Sequence, residues 1–213
     1  MAFAPPRADD PAVTRPKNPY KRPDALTKAA KAQGYPARSV FKLEEIDRRV
    51  RLFRAGQRVL DLGAAPGSWS LYAAQKIGPS GKLLAVDLCE IGVPLGPNAR
   101  FSRGDALSLA NEDLALFAPY DVVLSDMAPS TTGSRIADQT RSFELVMRAA
   151  AIAEALGAPG GAFVGKIFMS DDFVKARDAL RALFADVRTI KPEGTRSNSV
   201  EVFLVGTQRK PRG

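Results

Sequence analysis

The sequence predicts an α/β fold: a Rossmann-like, mostly parallel seven-stranded sheet with an antiparallel last strand and helices on both faces. Three observations carry that prediction. Short apolar runs alternate with longer helical patterns along most of the chain, which is the order that builds a parallel sheet. The run Val59-Leu-Asp-Leu62 passes directly into the small-residue loop Gly63-Ala-Ala-Pro-Gly67 and then into a helical pattern, the strand, tight turn and helix of a nucleotide-binding unit. With 213 residues and 45% hydrophobic content, the chain can bury one sizeable core.

Taken in order, apolar spacing predicts helices over 25–33 and 37–50, the second carrying Phe41, Leu43 and Ile46 on apolar positions with Lys42 among them. The first strand covers 59–62, its helix 68–77, and the second strand 82–88. A short strand at 99–103 leads to Gly104-Asp105, and a longer one at 119–126 ends in Asp126 before the loop 127–133. An Ala-rich helix over 138–156 stops at Gly157, and Pro159-Gly-Gly161 turns into the strand 162–167. A helix over 171–184 follows. Strands near 187–190 and 200–206 close the fold, and their short connection favours antiparallel pairing.

The loop after the first strand is built for close approach of a ligand, since Gly63 and Gly67 present no Cβ. The G-x-G-x-x-G fingerprint of a pyrophosphate binder is missing. Asp61, Pro66 and Trp69 around one loop suit a cationic, phosphate-free ligand instead, and point to S-adenosylmethionine. Asp87 stands about twenty residues after the loop, where such units bond ribose hydroxyls, and Asp105 is placed to reach an adenine.

Composition removes several alternatives. There is no histidine, so His-based triads and the commonest general base are excluded, and proton transfer falls to Lys, Asp, Glu, Tyr or Cys. The single cysteine, Cys89, excludes an internal disulfide and favours a reducing compartment. Neither a secretory leader nor a run of membrane-spanning length is present in the sequence, so a cytoplasmic protein is expected, with no membrane partner. The net charge of +8 is concentrated at the ends: residues 1–42 hold nine basic side chains against three acids, and Arg209, Lys210 and Arg212 follow at the other end. Six prolines keep the first 23 residues extended, and Tyr20 and Tyr35 could stack on bases. The organisation expected is a basic, Pro-rich extension over 1–33, a catalytic domain over 34–208 and a basic tail over 209–213, taken as a monomer. The extension reads as an arm for nucleic acid or as a solvated tail.

Four polar residues sit where a core would prefer something else: Lys42, Asp126, Lys166 and Glu201. Asp126 ends a strand beside the loop, where open α/β sheets place chemistry. Lys166 interrupts the apolar strand Phe163-Val-Gly-Lys-Ile-Phe168, where a lysine is costly unless paired or used.

With these motifs assembled, the chain resembles the FtsJ-type ribose 2′-O-methyltransferases from about Gly34 to Lys210. The stretches Arg38-Ser-Val-Phe-Lys-Leu-Glu-Glu-Ile46, Asp61-Leu-Gly-Ala-Ala-Pro-Gly-Ser-Trp69, Ser125-Asp-Met-Ala-Pro129, Gly160-Gly-Ala-Phe-Val-Gly-Lys166 and Ser199-Val-Glu-Val-Phe203 are similar to that family's motifs and stand in its order. The resemblance implies the S-adenosylmethionine-dependent methyltransferase fold and a catalytic tetrad of Lys42, Asp126, Lys166 and Glu201. It also implies that Gly63, Gly67, Trp69, Asp87, Asp105 and Asp126 surround the methyl donor, with S-adenosyl-L-homocysteine as product and no metal. Lys166 is its expected base, aimed at a ribose hydroxyl that attacks the methyl carbon in line. Ser68 departs from the pattern, since many members carry glycine there, and a serine can still open the helix by capping. The substrate implied is RNA, most simply a uridine ribose in 23S (large-subunit) ribosomal RNA or the ribosomal subunit, with transfer RNA or a non-catalytic RNA-binding role as alternatives. Methylation of amino groups is disfavoured, because Asp126-Met-Ala-Pro129 stands where those enzymes commonly present Asn-Pro-Pro-Tyr.

Overall fold

Alternate residues of each central strand feed opposite faces of one sheet, and this divides the hydrophobic interior into two halves. The computed structural model describes residues 25–211, apart from 131, 194 and 196–198. In chain order the elements are α1 (Ala25–Ala32), α2 (Val40–Val50), β1 (Arg58–Leu62), α3 (Ser68–Ile77), β2 (Lys82–Asp87), β3 (Ala99–Arg103), α4 (Asn111–Leu114), β4 (Tyr120–Ser125), α5 (Arg135–Leu156), β5 (Gly157–Phe168), α6 (Phe173–Leu183), β6 (Phe184–Ile190) and β7 (Glu201–Arg209). The seven strands lie in the order β3-β2-β1-β4-β5-β7-β6. Six of them run in one direction, and β7 alone is reversed, antiparallel to both of its neighbours, as the short final connection predicts.

One face packs against α1, α2 and α3 through Val59, Val122, Val164 and Phe203, meeting Leu43, Ile46 and Trp69. The other face packs against α5 and α6 through Leu60, Val123, Phe163 and Leu204, meeting Val146, Ala149 and Leu180. The period of two along the strands and the helical spacing of the apolar positions thus agree with one layered solution.

Element ends differ from expectation where tertiary contacts decide them. α5 begins at Arg135, three residues before the expected start, with Ser134 as an N-cap accepting from the Ala137 amide. The expected turn at Pro159-Gly-Gly161 survives inside β5 as a register shift, with Tyr120 opposite Gly157 and Val122 opposite Ala162. α4 is a single turn that the sequence does not announce. The boundary drawn at residue 33 falls at the end of α1, whose Ala30 is fully buried. Arg209, grouped with the basic tail, is 6% exposed and donates to the Ala153 and Glu154 carbonyls at 3.1 and 2.6 Å, closing the C-terminal end of α5. Arg7, Arg15, Lys17, Lys21, Arg22, Tyr20 and Arg212 lie outside the described residues.

Candidate active site

The carboxyl ends of β1, β2, β4 and β5 open on a cavity of about 650 Å³. Gly63, Asp87, Asp105, Asp126 and Lys166 all line it, so five of the predicted residues meet in one place. Gly63 has φ +76°, and a Cβ there would stand 2.8 Å from the Met127 amide nitrogen and 2.9 Å from its Cα. The turn therefore brings the first loop against the loop after β4. The Asp126 amide donates to the Leu62 carbonyl at 3.2 Å, which ties the ends of β1 and β4 together.

The acids around the cavity are held by backbone. Asp87 accepts from the Ala65 amide at 2.9 Å and from the Cys89 amide at 2.8 Å. Asp105 accepts from the Leu107 amide at 2.9 Å. From α5, Arg148 donates to the Ala106 and Leu109 carbonyls at 3.0 and 2.7 Å and fixes the loop that follows β3. Beneath the floor, Asp61 is fully buried and accepts from the Ser70 hydroxyl at 2.6 Å, while its other oxygen has no partner. Burial pushes its pKa up to about 7, the Ser70 bond opposes that rise, and the negative charges of Asp126 and Asp87 add to it.

The four tetrad residues fall into two ion pairs on the sheet face covered by α2. Lys166 Nζ lies 2.9 Å from Asp126 Oδ1 and donates to the Asp126 carbonyl at 2.6 Å; the carboxylate contact is one of charge, since it lacks hydrogen-bond geometry. Lys42 pairs with Glu201, reaching from the first turn of α2 to the start of β7. Phe203, opposite Lys166 in the β5–β7 ladder, lies under the Lys42 ammonium at 6.0 Å. All four side chains are less than a fifth exposed, which keeps each charge close to its partner and shielded from bulk water.

The two other predicted donor-binding residues, Trp69 and Gly67, adjoin the loop but are not among the residues lining this cavity. Trp69 is 2% exposed, its indole donates to the Ser39 carbonyl at 2.9 Å, and its ring packs on Phe203 with centroids 5.6 Å apart. It sits on the α2 side because its phase on α3 turns it there, away from the cavity. Gly67 has φ +109°, and a Cβ would meet Ile91 and Val93 side chains at 2.7 Å; it packs under the segment after β2 and does not line the cavity. Ser68 caps nothing: its hydroxyl accepts from the Ala37 amide at 2.8 Å and donates to the Ala37 carbonyl at 3.0 Å, while Gly67 holds the N-cap position. Conversely, Arg141, Glu144 and Leu145 of α5 line the cavity without having been singled out. Their i, i+3, i+4 spacing marks one helix face, but an Ala-rich helix gives no reason to assign that face to a site.

The lining suits a cationic nucleoside. Four carboxylates, Asp87, Asp105, Asp126 and Glu144, outnumber the cations Arg141 and Lys166 around Val86, Leu88, Ala106, Leu107 and Met127, an arrangement that favours a positive ligand over a pyrophosphate and offers apolar surface to a purine. S-adenosylmethionine fits these residues. The sequence pattern of the FtsJ-like methyltransferases matches residues 35–209. The chain belongs to the FtsJ-like methyltransferase family. Among curated relatives of this FtsJ-like enzyme, the ribosomal RNA large subunit methyltransferase E of Sorangium cellulosum is 76% identical over 207 residues, covering 97% of this chain and 98% of that one. The protein of the same name from Nitratidesulfovibrio vulgaris (strain Miyazaki F) is 52% identical over 179 residues, covering 83% of this chain and 89% of that one. Two solved structures share the fold of the FtsJ-like chain. A candidate ribosomal RNA methyltransferase of Plasmodium falciparum matches with TM-score 0.72 at 24% identity, over 84% of this chain and all of that one. Aeropyrum pernix fibrillarin, solved with natively bound S-adenosyl-L-methionine, matches with TM-score 0.51 at 17% identity, over 72% of this chain and 67% of that one. The methyl donor of this FtsJ-like methyltransferase is S-adenosylmethionine.

Proposed function

We propose that the protein methylates a ribose 2′-hydroxyl of a uridine in large-subunit ribosomal RNA, in the cytoplasm. The observation that carries this reading is the pair of ion pairs, Lys166 with Asp126 and Lys42 with Glu201, at the edge of a cavity that suits the methyl donor. The names of the relatives support the choice of RNA.

When bound, S-adenosylmethionine supplies an activated methyl group on a positively charged sulfur. Asp87 and Asp105 hold its nucleoside, and Gly63 lets the loop approach it. Lys166 Nζ accepts the proton of the acceptor hydroxyl, which requires it to enter the step neutral. Asp126 orients that nitrogen through both its carboxylate and its carbonyl. Lys42, held by Glu201, hydrogen-bonds the hydroxyl and aims it, and positioning of this kind is worth roughly 7–11 kcal/mol in favourable cases. Residues 1–23 and the exposed Lys28 and Lys31 of α1 hold the RNA through its phosphates.

Lys166→Ala tests the assignment. Methyl transfer to large subunits from cells lacking the gene is expected to fall by about 10²–10⁴-fold, while calorimetric affinity for S-adenosylmethionine stays within a few-fold. Near-normal turnover refutes Lys166 as base, and label found in transfer RNA instead refutes the substrate.

A further inference from the structure

Phe168 is the last residue of β5, two places beyond Lys166. Strand alternation puts its ring on the face that carries Lys166 and Val164. Its register partner on β7 is Glu201, and residues directly opposite on one face have Cβ atoms roughly 4.5–5.5 Å apart. The ring therefore borders both ion pairs of the tetrad.

Its environment differs from that of the other phenylalanines in these strands. Phe163, Phe184 and Phe203 are at most 2% exposed, and each packs in one of the two cores. Phe168 is only partly buried, belongs to neither core and has no ring partner among the described residues. Its mount is nevertheless rigid. The Phe168 amide donates to Ser142 Oγ at 2.9 Å, and the next amide, of Met169, donates to the Val200 carbonyl at 2.9 Å. Packing does not account for a large ring held firmly at the edge of a polar site.

We propose that Phe168 is the platform on which the base of the target nucleotide stacks while its ribose is held at the tetrad. This inference rests on the proposed function above. A base drawn out of its RNA loses its stacking neighbours, and an aromatic face restores that contact whatever the base. The lysines of the tetrad meet the polar part of the same nucleotide, so one residue unit of RNA spans Lys42, Lys166 and the ring.

Steady-state kinetics on large subunits from cells lacking the gene separate the possibilities, using Phe168→Ala, Phe168→Leu and Phe168→Tyr. The Ala variant is expected to raise KM for the subunit by about tenfold or more, and stacking losses of that order are usual on aromatic truncation. Tyr should keep KM within about twofold, Leu should behave as Ala does, and all three should bind S-adenosylmethionine as the wild type does. An unchanged Ala variant overturns the inference, as does a Leu variant equal to Tyr, which would mean apolar packing or a protein contact. Loss of cofactor affinity in the Ala variant would make the ring structural and likewise overturn it. A wild-type enzyme that leaves the large subunit unmethylated overturns the proposed function itself, and this inference falls with it.

Discussion

Asp61 carries a consequence that can be measured without any substrate. An acid whose folded pKa is raised to about 7 binds a proton that the unfolded chain has already released above the ordinary carboxylate range. Stability at this site is therefore full at low pH, falls as pH rises from about 4 to about 7, and is flat above that. Asp61→Asn removes the titration. The difference in Tm between variant and wild type should move in favour of the variant from pH 5 to pH 8, and parallel melting curves across that range would refute the raised pKa. The single residues most legible in the sequence were those out of keeping with their surroundings, such as Lys166 in an apolar strand. Trp69 is harder to read, because a tryptophan beside a loop suits a ligand site as well as a core, and only the packing of α2 against α3 shows that its ring is buried.

Strand, loop and helix form the next level, and Gly63 is the position that joins them. A side chain there would meet backbone atoms of Met127, which cannot swing aside as a side-chain tip can, and its φ of +76° is itself unfavourable to other residues. Gly63→Ala is expected to cost about 1–3 kcal/mol, lowering Tm by roughly 2–12 °C for a chain of this size, and to weaken S-adenosylmethionine binding in calorimetry. A variant with wild-type Tm and affinity would refute the close approach. All seven strands and the longer helices could be read from periodicity. Their ends could not, because β6 and β7 are extended by pairing with each other, and the β4–β5 register shift depends on two strands distant in sequence. The motif Ser125-Asp-Met-Ala-Pro129 marks the loop after β4 in the sequence, whereas the hold of Arg148 on the loop after β3 crosses 39 positions or more and leaves no local pattern.

At the scale of the molecule, the proposed hold on RNA and the proposed chemistry belong to different parts of the chain. The tetrad balances two positive charges with two negative ones, while the excess positive charge lies towards the ends of the sequence. Deleting residues 1–23 should weaken binding to large-subunit RNA and flatten its salt dependence, each lost phosphate contact removing roughly 0.7–0.9 from the slope of log K against log salt. Filter binding across a salt series measures both, and unchanged affinity refutes the arm.

The reversal of β7 also bears on how the enzyme comes into being. In the sheet order, β6 neighbours no strand except β7 among the described residues, so it joins the sheet only through β7, which lies between it and β5. Glu201 arrives with that same segment. Completion of the sheet and completion of the proposed tetrad thus depend on one segment, and a chain stopped before position 201 has neither.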